Sequence, residues 1–125
     1  MSNSIVLTTG VYDLIKDHLR RKQTTAQEEE ILLAQLKGAK QVLRKELPTD
    51  VVTVNSLVRL KDFSNNQEKN YQFVPAALEK VKRGKYSILS DIALSIVGNK
   101  VGDIIEWPFK DGEKKIEILS VQHQN

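Results

Sequence analysis

The chain has 125 residues, of which 40% are hydrophobic and 28% are charged, a balance typical of one ordinary globular domain or one small domain with an appendage. It contains no cysteine, which excludes a disulfide framework, a thiol nucleophile and cysteine-ligated metal sites. The formal net charge of +3 is small, so it does not by itself identify a nucleic-acid-binding protein. The apolar run near the start is three residues long, which predicts neither a signal peptide nor a membrane span. We therefore expect a cytoplasmic protein with no membrane contact and no cofactor.

The spacing of the hydrophobic residues changes once, near Pro48, and this change predicts two regions with different secondary structure. Before Pro48 the spacing is helical, and residues 22–24 form a short polar connection of the length that joins antiparallel helices. Residues 9–47 therefore predict a helical hairpin, a short coiled coil, within an arm that spans residues 1–47. The apolar stripes of the two predicted helices are, in chain order, Val11, Leu14, Ile15 and Leu19, and then Leu32, Leu36, Ala39, Leu43 and Leu47.

Capping residues indicate where both arm helices begin. Thr8 or Thr9 is available to cap the first helix, and Thr25 with Glu28 forms a capping-box pattern at the start of the second. Gly38 falls inside the second predicted helix, where it costs on the order of 1 kcal/mol relative to alanine. The sequence thus predicts a second helix that continues through Gly38 to residue 47.

In the second region the hydrophobic spacing becomes two, which predicts β-strands. Turn residues at 64–67, and at Asp111 and Gly112, predict two hairpins. Pro108 predicts that its strand lies at a sheet edge or ends early. The predicted strands cover residues 52–61, 70–73, 86–89, 104–109 and 116–118.

One short helix is predicted between two of these strands. Ser90 or Asp91 is available to cap it, it extends through Val97, and Gly98 lies where a helix terminator belongs. Residues 48–125 therefore predict a mostly antiparallel sheet of about five strands with one short helix. Together with the helical arm, this makes the chain an α+β protein.

Few side chains form a catalytic pattern. His18 lies beside the apolar stripe of the first helix, where a packing role is expected, and His123 near the chain end is expected to be solvated. Glu28, Glu29 and Glu30 lie at the start of the second helix, at the tip of the predicted hairpin. They have two interpretations: they coordinate a hard cation such as Mg²⁺ that a partner supplies, or they complement the helix dipole.

Two further groups of side chains also have two interpretations each. Lys82, Arg83 and Lys85, with Lys80, surround Gly84 and form either a contact with nucleic acid or a solvated turn. The aromatic side chains of the second region either line a pocket or build the core. They are Phe63, Tyr71, Phe73, Tyr86, Trp107 and Phe109. The residues alone therefore favour an interaction protein over an enzyme.

A family resemblance lies in two blocks of the second region, residues 50–58 and residues 87–107. Together they resemble the C-terminal domain of the GreA/GreB transcription elongation factors. The opening block and the pair Glu106 and Trp107 more closely resemble the Rnk branch, whose members are named as regulators of nucleoside diphosphate kinase. The resemblance covers roughly residues 48–121, whereas residues 1–47 match in architecture only.

The resemblance implies an FKBP-like sheet domain that docks on bacterial RNA polymerase at the rim of its secondary channel, with the arm entering that channel. The family's docking segment corresponds to Leu89, Ser90, Asp91 and Ile92, and Asp91 replaces the family's usual proline. The acidic tip pattern of the Gre factors is absent, and a first helix of about fourteen residues rises only ~21 Å. We therefore expect a non-enzymatic regulator of elongation that occupies the channel without stimulating transcript cleavage.

Three other functions stay open on the sequence. The first is a cleavage-stimulating factor in which Glu28, Glu29 and Glu30 assist the polymerase's own Mg²⁺ chemistry. The second is a prolyl isomerase that uses the aromatic side chains as a pocket, although a fold does not by itself bring an activity. The third is a nucleic-acid-binding protein that uses Lys82, Arg83 and Lys85, with direct or indirect contact.

Overall fold

The protein is an α+β chain that divides into two compact units, with the boundary between Leu47 and Pro48. The computed structural model describes residues 5–109 and 112–124. Within these ranges, no helix is both long enough and apolar enough to cross a membrane. The first unit is called the arm and the second the sheet unit.

The arm contains two helices and a small parallel sheet. Its elements are β1 (Val6–Thr8), α1 (Thr9–Arg20), α2 (Ala26–Gly38) and β2 (Lys40–Val42), followed by a 3-10 turn at Arg44–Glu46. β1 pairs with β2 in parallel. The buried apolar side chains of the arm are Ile5, Leu7, Val11, Ile15, Leu19, Leu32, Leu36 and Leu47.

The predicted starts of both arm helices are confirmed. Thr8 caps α1, and its Oγ1 accepts a hydrogen bond from the Val11 backbone N–H at 3.2 Å. Thr25 caps α2 in a reciprocal capping box with Glu28. The predicted stripe of α1 is correct except at Leu14, which is 43% exposed. These starts follow from contacts within four residues, which local sequence determines.

The predicted end of the second helix is wrong, because α2 ends at Gly38 and not at residue 47. Ala39 has an extended backbone, and the Lys40 N–H donates to the Ile5 carbonyl at 2.9 Å as β2 joins β1. Pairing with β1 thus supplies backbone hydrogen bonds that a longer helix would have made internally. Leu43, placed on the helical stripe by its spacing, is 57% exposed.

The sheet unit is a five-stranded sheet in the order β5-β4-β3-β7-β6. Its pairings are antiparallel apart from the parallel pair β4 and β5. This confirms the predicted mostly antiparallel sheet, and β6 is an edge strand as Pro108 predicted. The elements are β3 (Ser56–Asp62), β4 (Gln67–Val74), β5 (Lys85–Ser87), α3 (Asp91–Ile96), β6 (Ile104–Phe109) and β7 (Gly112–His123).

Several details of the sheet unit differ from the expectations. β3 begins at Ser56 rather than at residue 52, and Thr53, inside the predicted strand, precedes it and is buried. His123, expected to be solvated, lies in β7 with its Nε2 2.7 Å from the Val51 carbonyl oxygen. The predicted turn at Asp111 lies outside the described residues, although Phe109 and Gly112 are paired on either side of it. The burial of Thr53 and the hydrogen bond of His123 depend on contacts between residues that lie far apart in the chain.

The core of the sheet unit lies on the sheet face that α3 covers. Phe73 and Trp107 are fully buried there, which assigns both aromatic rings to the core. Phe63, Tyr71, Tyr86 and Phe109 are only half-buried. The other buried apolar residues of the strands and of α3 include Val58, Leu60, Ala93, Leu94, Ile96, Ile116 and Ile118. The aromatic residues therefore divide between core and surface.

Candidate docking site and the pocket beside it

The segment that leads into α3 is held by a group of short hydrogen bonds. Ser90 is the N-cap of α3, and its Oγ accepts from the Ala93 N–H at 3.4 Å and donates to the Ser87 carbonyl at 2.6 Å. The Ser87 Oγ in turn accepts from the Leu89 N–H at 3.0 Å. Two serines thus define the backbone path from β5 into the helix.

The four residues of the predicted docking segment lie together at this point. Leu89, Ser90, Asp91 and Ile92 are each half-buried, so each presents part of its side chain to solvent. The Ser90 hydroxyl makes hydrogen bonds within this segment. Asp91 and Ile92 are better placed to contact a partner, because they also line an adjacent cavity.

This cavity has a volume of about 260 Å³ and lies on the same face of the sheet as the core. Alternate residues of a strand point to one face, which places Lys69 and Tyr71 of β4 on the face that buries Phe73. α3 has only six residues, a rise of about 9 Å, and covers part of that face. The lining consists of Leu60, Asp62, Gln67, Lys69, Tyr71, Asp91, Ile92, Phe109, Lys114 and Ile116. We call it the α3 pocket.

Two aromatic rings lie beside the ammonium group of Lys69, an exposed residue that lines the α3 pocket. Its Nζ lies 5.2 Å from the centroid of the Tyr71 ring and 5.6 Å from that of Tyr86. A hydrogen bond with Tyr86 is the main cause that raises the pKa of Lys69 above its ordinary 10.5. Burial raises the pKa of the Tyr71 phenol. Lys69 is therefore a cation, and Tyr71 neutral, throughout the physiological pH range.

Asp62, the acid at the β3 end of the α3 pocket, is already engaged. Its Oδ1 accepts hydrogen bonds from the Ser64 backbone N–H at 2.8 Å and from the Ser64 Oγ at 2.6 Å. Its Oδ2 lies 4.0 Å from the Lys114 Nζ. The hydrogen bond from the Ser64 hydroxyl is the main cause that lowers the pKa of Asp62. Sequence reasoning did not single out Asp62, Lys69 or Lys114, and the strand predicted at residues 70–73 did not include Lys69, which lies in β4.

The three acids predicted to act at the arm tip are not equivalent. Glu28 is 2% exposed, and its Oε1 accepts from the Thr25 N–H at 3.0 Å. The Glu29 Oε1 lies 3.1 Å from the Lys22 Nζ, and Glu30 is exposed. Glu28 is therefore unavailable as a surface ligand, which leaves Glu29 and Glu30 for the interpretation in which the acids coordinate a cation. No group of three or more metal-ligating side chains occurs in residues 5–109 and 112–124.

A larger groove of about 530 Å³ lies in the arm, lined by residues of α1, of α2 and of the connection between them. Several of its charges are paired within the arm. Asp17 forms ion pairs with Arg20 and Arg21, and Lys22 pairs with Glu29. The hydrogen bond from Arg20 is the main cause that lowers the pKa of Asp17.

The predicted basic cluster lies on a surface turn. Residues Val81–Arg83 form a 3-10 turn that ends at Gly84, whose φ of 75° is left-handed and suits glycine. Lys82 and Arg83 are exposed, whereas Lys85 is half-buried at the start of β5. The cluster thus lies on a solvent-exposed turn, which both interpretations require, and none of the ring contacts of the described residues involves it.

Comparison with known proteins finds relatives of this chain within one family. The family model "Transcription elongation factor, GreA/GreB, C-term" matches residues 47–123. The chain is 41% identical over 86 residues to GreA of Clostridium botulinum strain Langeland, and 38% identical over 86 residues to GreA of Clostridium beijerinckii. Each match covers 69% of this chain and 54% of the relative. The chain thus spans about half the length of the curated relatives it matches.

Solved structures show the same fold. The GreA/GreB elongation factor from Nitrosomonas europaea is 27% identical, with a TM-score of 0.72 over 98% of this chain and 100% of that chain. Gfh1 of Thermus aquaticus, 17% identical with a TM-score of 0.53 over 98% of this chain and 100% of that chain, is similar in fold alone. Because the family model covers more than half of the sequence, this chain belongs to the GreA/GreB family of transcription elongation factors.

Proposed function

We propose that this protein binds bacterial RNA polymerase in the cytoplasm, at the rim of the secondary channel, and regulates elongation without stimulating transcript cleavage. The observation that carries the proposal is the docking segment at α3. It lies inside the region that matches the family, its backbone is held by Ser87 and Ser90, and Asp91 and Ile92 remain partly exposed. A preformed, partly apolar surface with one acidic side chain suits recognition of a protein partner.

The arm supports the proposal that cleavage is not stimulated. Glu28 caps its own helix and Glu29 pairs with Lys22, which leaves Glu30 as the exposed acid of the three. α1 has 12 residues, a rise of about 18 Å, which is shorter than expected from the sequence. An arm of this length without a pair of available carboxylates occupies a channel but does not complete a Mg²⁺ site. This behaviour fits the proposed place in the Rnk branch.

The docking segment is tested by reversing the charge of Asp91. We expect Asp91→Arg to weaken binding to core RNA polymerase by at least about tenfold. The reversed charge would face the partner group that the Asp91 carboxylate complements, and like charges opposite each other at an interface are costly. Glu106→Arg is the matched control, since Glu106 is an exposed acid on the edge strand β6. Binding is measured by titrating labelled protein with polymerase. If both variants bind polymerase with the same affinity as the parent protein, docking uses another surface.

The regulatory role is tested on stalled elongation complexes. We expect the protein to inhibit Gre-stimulated RNA cleavage with saturation, and to produce no cleavage when it is added alone. Cleavage by the protein alone that is lost in a Glu29→Gln, Glu30→Gln double variant would instead establish a cleavage factor. Absence of any complex with polymerase would overturn the proposal as a whole.

An FKBP-like architecture is the finer description that we propose for the sheet unit. It is supported by a short helix against one face of a five-stranded sheet with a pocket beside it. We expect no acceleration in a peptide prolyl isomerisation assay, because an activity belongs to a site rather than to a fold. We likewise expect no salt-dependent retention on DNA through Lys82, Arg83 and Lys85.

A further inference from the structure

We propose that the α3 pocket is a binding site for an apolar group that carries a carboxylate, and that Lys69 binds the carboxylate. The site is a property of the sheet unit itself. It goes beyond polymerase docking and does not depend on it. The proposal concerns the chemistry of the ligand, which three features of the pocket define: its volume, its lining and the balance of its charges.

The volume and the apolar lining of the α3 pocket indicate which apolar group the ligand carries. A dry apolar cavity of roughly 150 Å³ accepts a benzene ring, and drug-sized ligands need roughly 300–1,000 Å³. The α3 pocket, at about 260 Å³, therefore suits one ring or one branched side chain with a small polar group. Its apolar lining consists of Leu60, Tyr71, Ile92, Phe109 and Ile116.

The charges that line the α3 pocket indicate which charged group the ligand carries. Asp62 already accepts two hydrogen bonds from Ser64 and faces Lys114. Asp91 lies in the first turn of α3, where the helix dipole favours a negative charge. Lys69 contacts Tyr71 and Tyr86, and none of the described carboxylates lies within ion-pair distance of it. Lys69 is thus the positive charge of the pocket with which the carboxylate of a ligand pairs.

The single charge of a carboxylate suits this environment better than a phosphate does. A phosphate carries close to two negative charges at neutral pH. Two acids, Asp62 and Asp91, line the same cavity and repel a doubly charged group about twice as strongly as a singly charged one. A carboxylate therefore meets less repulsion while it still forms a charge-assisted hydrogen bond with Lys69.

The test uses two probes that differ only in charge. N-acetylphenylalanine has a ring and a carboxylate, whereas N-acetylphenylalaninamide has the same ring and no charge. Both are titrated into the full chain, free of polymerase, while amide NMR shifts are followed. We expect shifts at the pocket residues and about two- to fivefold tighter binding of the acid, because Lys69 is exposed and an ion pair with it is screened by solvent. A third probe, acetyl-Phe-Glu-amide, distinguishes an internal acidic side chain from a terminal carboxylate as the source.

Two lysine variants assign the carboxylate to its partner. Lys69→Met is expected to remove the preference for the acid, and Lys69→Gln serves the same purpose if the first variant fails to fold. Lys82→Met, at the exposed turn before Gly84, is the matched control and is expected to keep the preference. Equal binding of acid and amide, binding of neither, or an unchanged preference in both Lys69 variants would overturn the proposal. Because polymerase is absent, none of these outcomes depends on docking.

Discussion

The arm and the sheet unit are stabilised by interactions of very different range. The arm helices begin at caps that join residues three apart, such as Thr25 and Glu28. The sheet unit is joined by pairings between distant residues, such as Ser56 with His123 and Val52 with Asn99. The comparison shows why the helix starts were predictable residue by residue, while the ends of strands and the shape of the pocket were not.

The two candidate functional surfaces, the arm tip and the α3 pocket, also differ in the range of the interactions that form them. The acids at the arm tip are governed by local capping, so Glu28 is committed to its own helix. The α3 pocket is assembled from β3, β4, β6, β7 and α3, which lie far apart in the chain. A surface assembled in this way is the more sensitive of the two to changes in the core beneath it.

The largest expected effect comes from the core of the sheet unit. Phe73 is fully buried in β4, and we expect Phe73→Ala to lower the free energy of unfolding by about 3–5 kcal/mol. Trp107, the single tryptophan of the chain, lies in the same core and its fluorescence follows denaturant unfolding of this unit. Phe73→Leu should cost clearly less, because it leaves a smaller cavity. A loss below about 1 kcal/mol in Phe73→Ala would contradict the assignment of this ring to the core.

A smaller effect is expected at the cap of α2. Thr25→Ala removes the acceptor for the Glu28 N–H, so we expect a loss of about 1 kcal/mol. Far-UV circular dichroism suits this measurement, because α1 and α2 contribute 12 and 13 helical residues and α3 contributes six. Thr24→Ala is the matched control, since the buried Thr24 hydroxyl has no hydrogen-bond partner in the described structure. Equal losses in both variants would argue against the capping box.

Gly38→Ala is expected to act in the opposite direction. A Cβ at Gly38 meets no atom within 4 Å, and alanine is favoured over glycine in a helix by up to about 1 kcal/mol. We therefore expect a gain of about 0.5 kcal/mol in the same circular dichroism assay. Gly102→Ala provides the contrast, because its φ of 92° opposes a side chain and should cost stability. A loss in Gly38→Ala would indicate that the end of α2 needs glycine.

The smallest effect concerns the pH dependence of Asp62. Its pKa is lowered in the folded protein, so its contribution to stability is present above the unfolded value of about 3.9 and disappears as the pH falls through the lower folded value. We expect NMR titration of the Asp62 carboxyl to give a pKa below 3.8. Ser64→Ala should raise that pKa towards the ordinary range, whereas an unchanged value would exclude the Ser64 hydroxyl as the cause.

The sequence by itself determined the local features and the family. Periodicity and caps predicted α1, the start of α2, α3 with Ser90 or Asp91 as its cap, and most of the strands, because these depend on neighbouring side chains. Residues 50–58 and 87–107 indicated the family, which the match to the family model then showed. Pro108, which lacks the N–H that a central strand needs, predicted either an edge strand or an early strand end, and β6 is an edge strand.

Only the tertiary structure decided where α2 ends, which acids are available and how Lys69 is surrounded. Ending α2 at Gly38 depends on a backbone partner in β1, and β1 lies at the other end of the arm sequence. The environment of Lys69 depends on Tyr86, which reaches it because β5 pairs with β4. Backbone hydrogen bonds and ring contacts of this kind join residues with no fixed spacing, so no local pattern in the sequence records them.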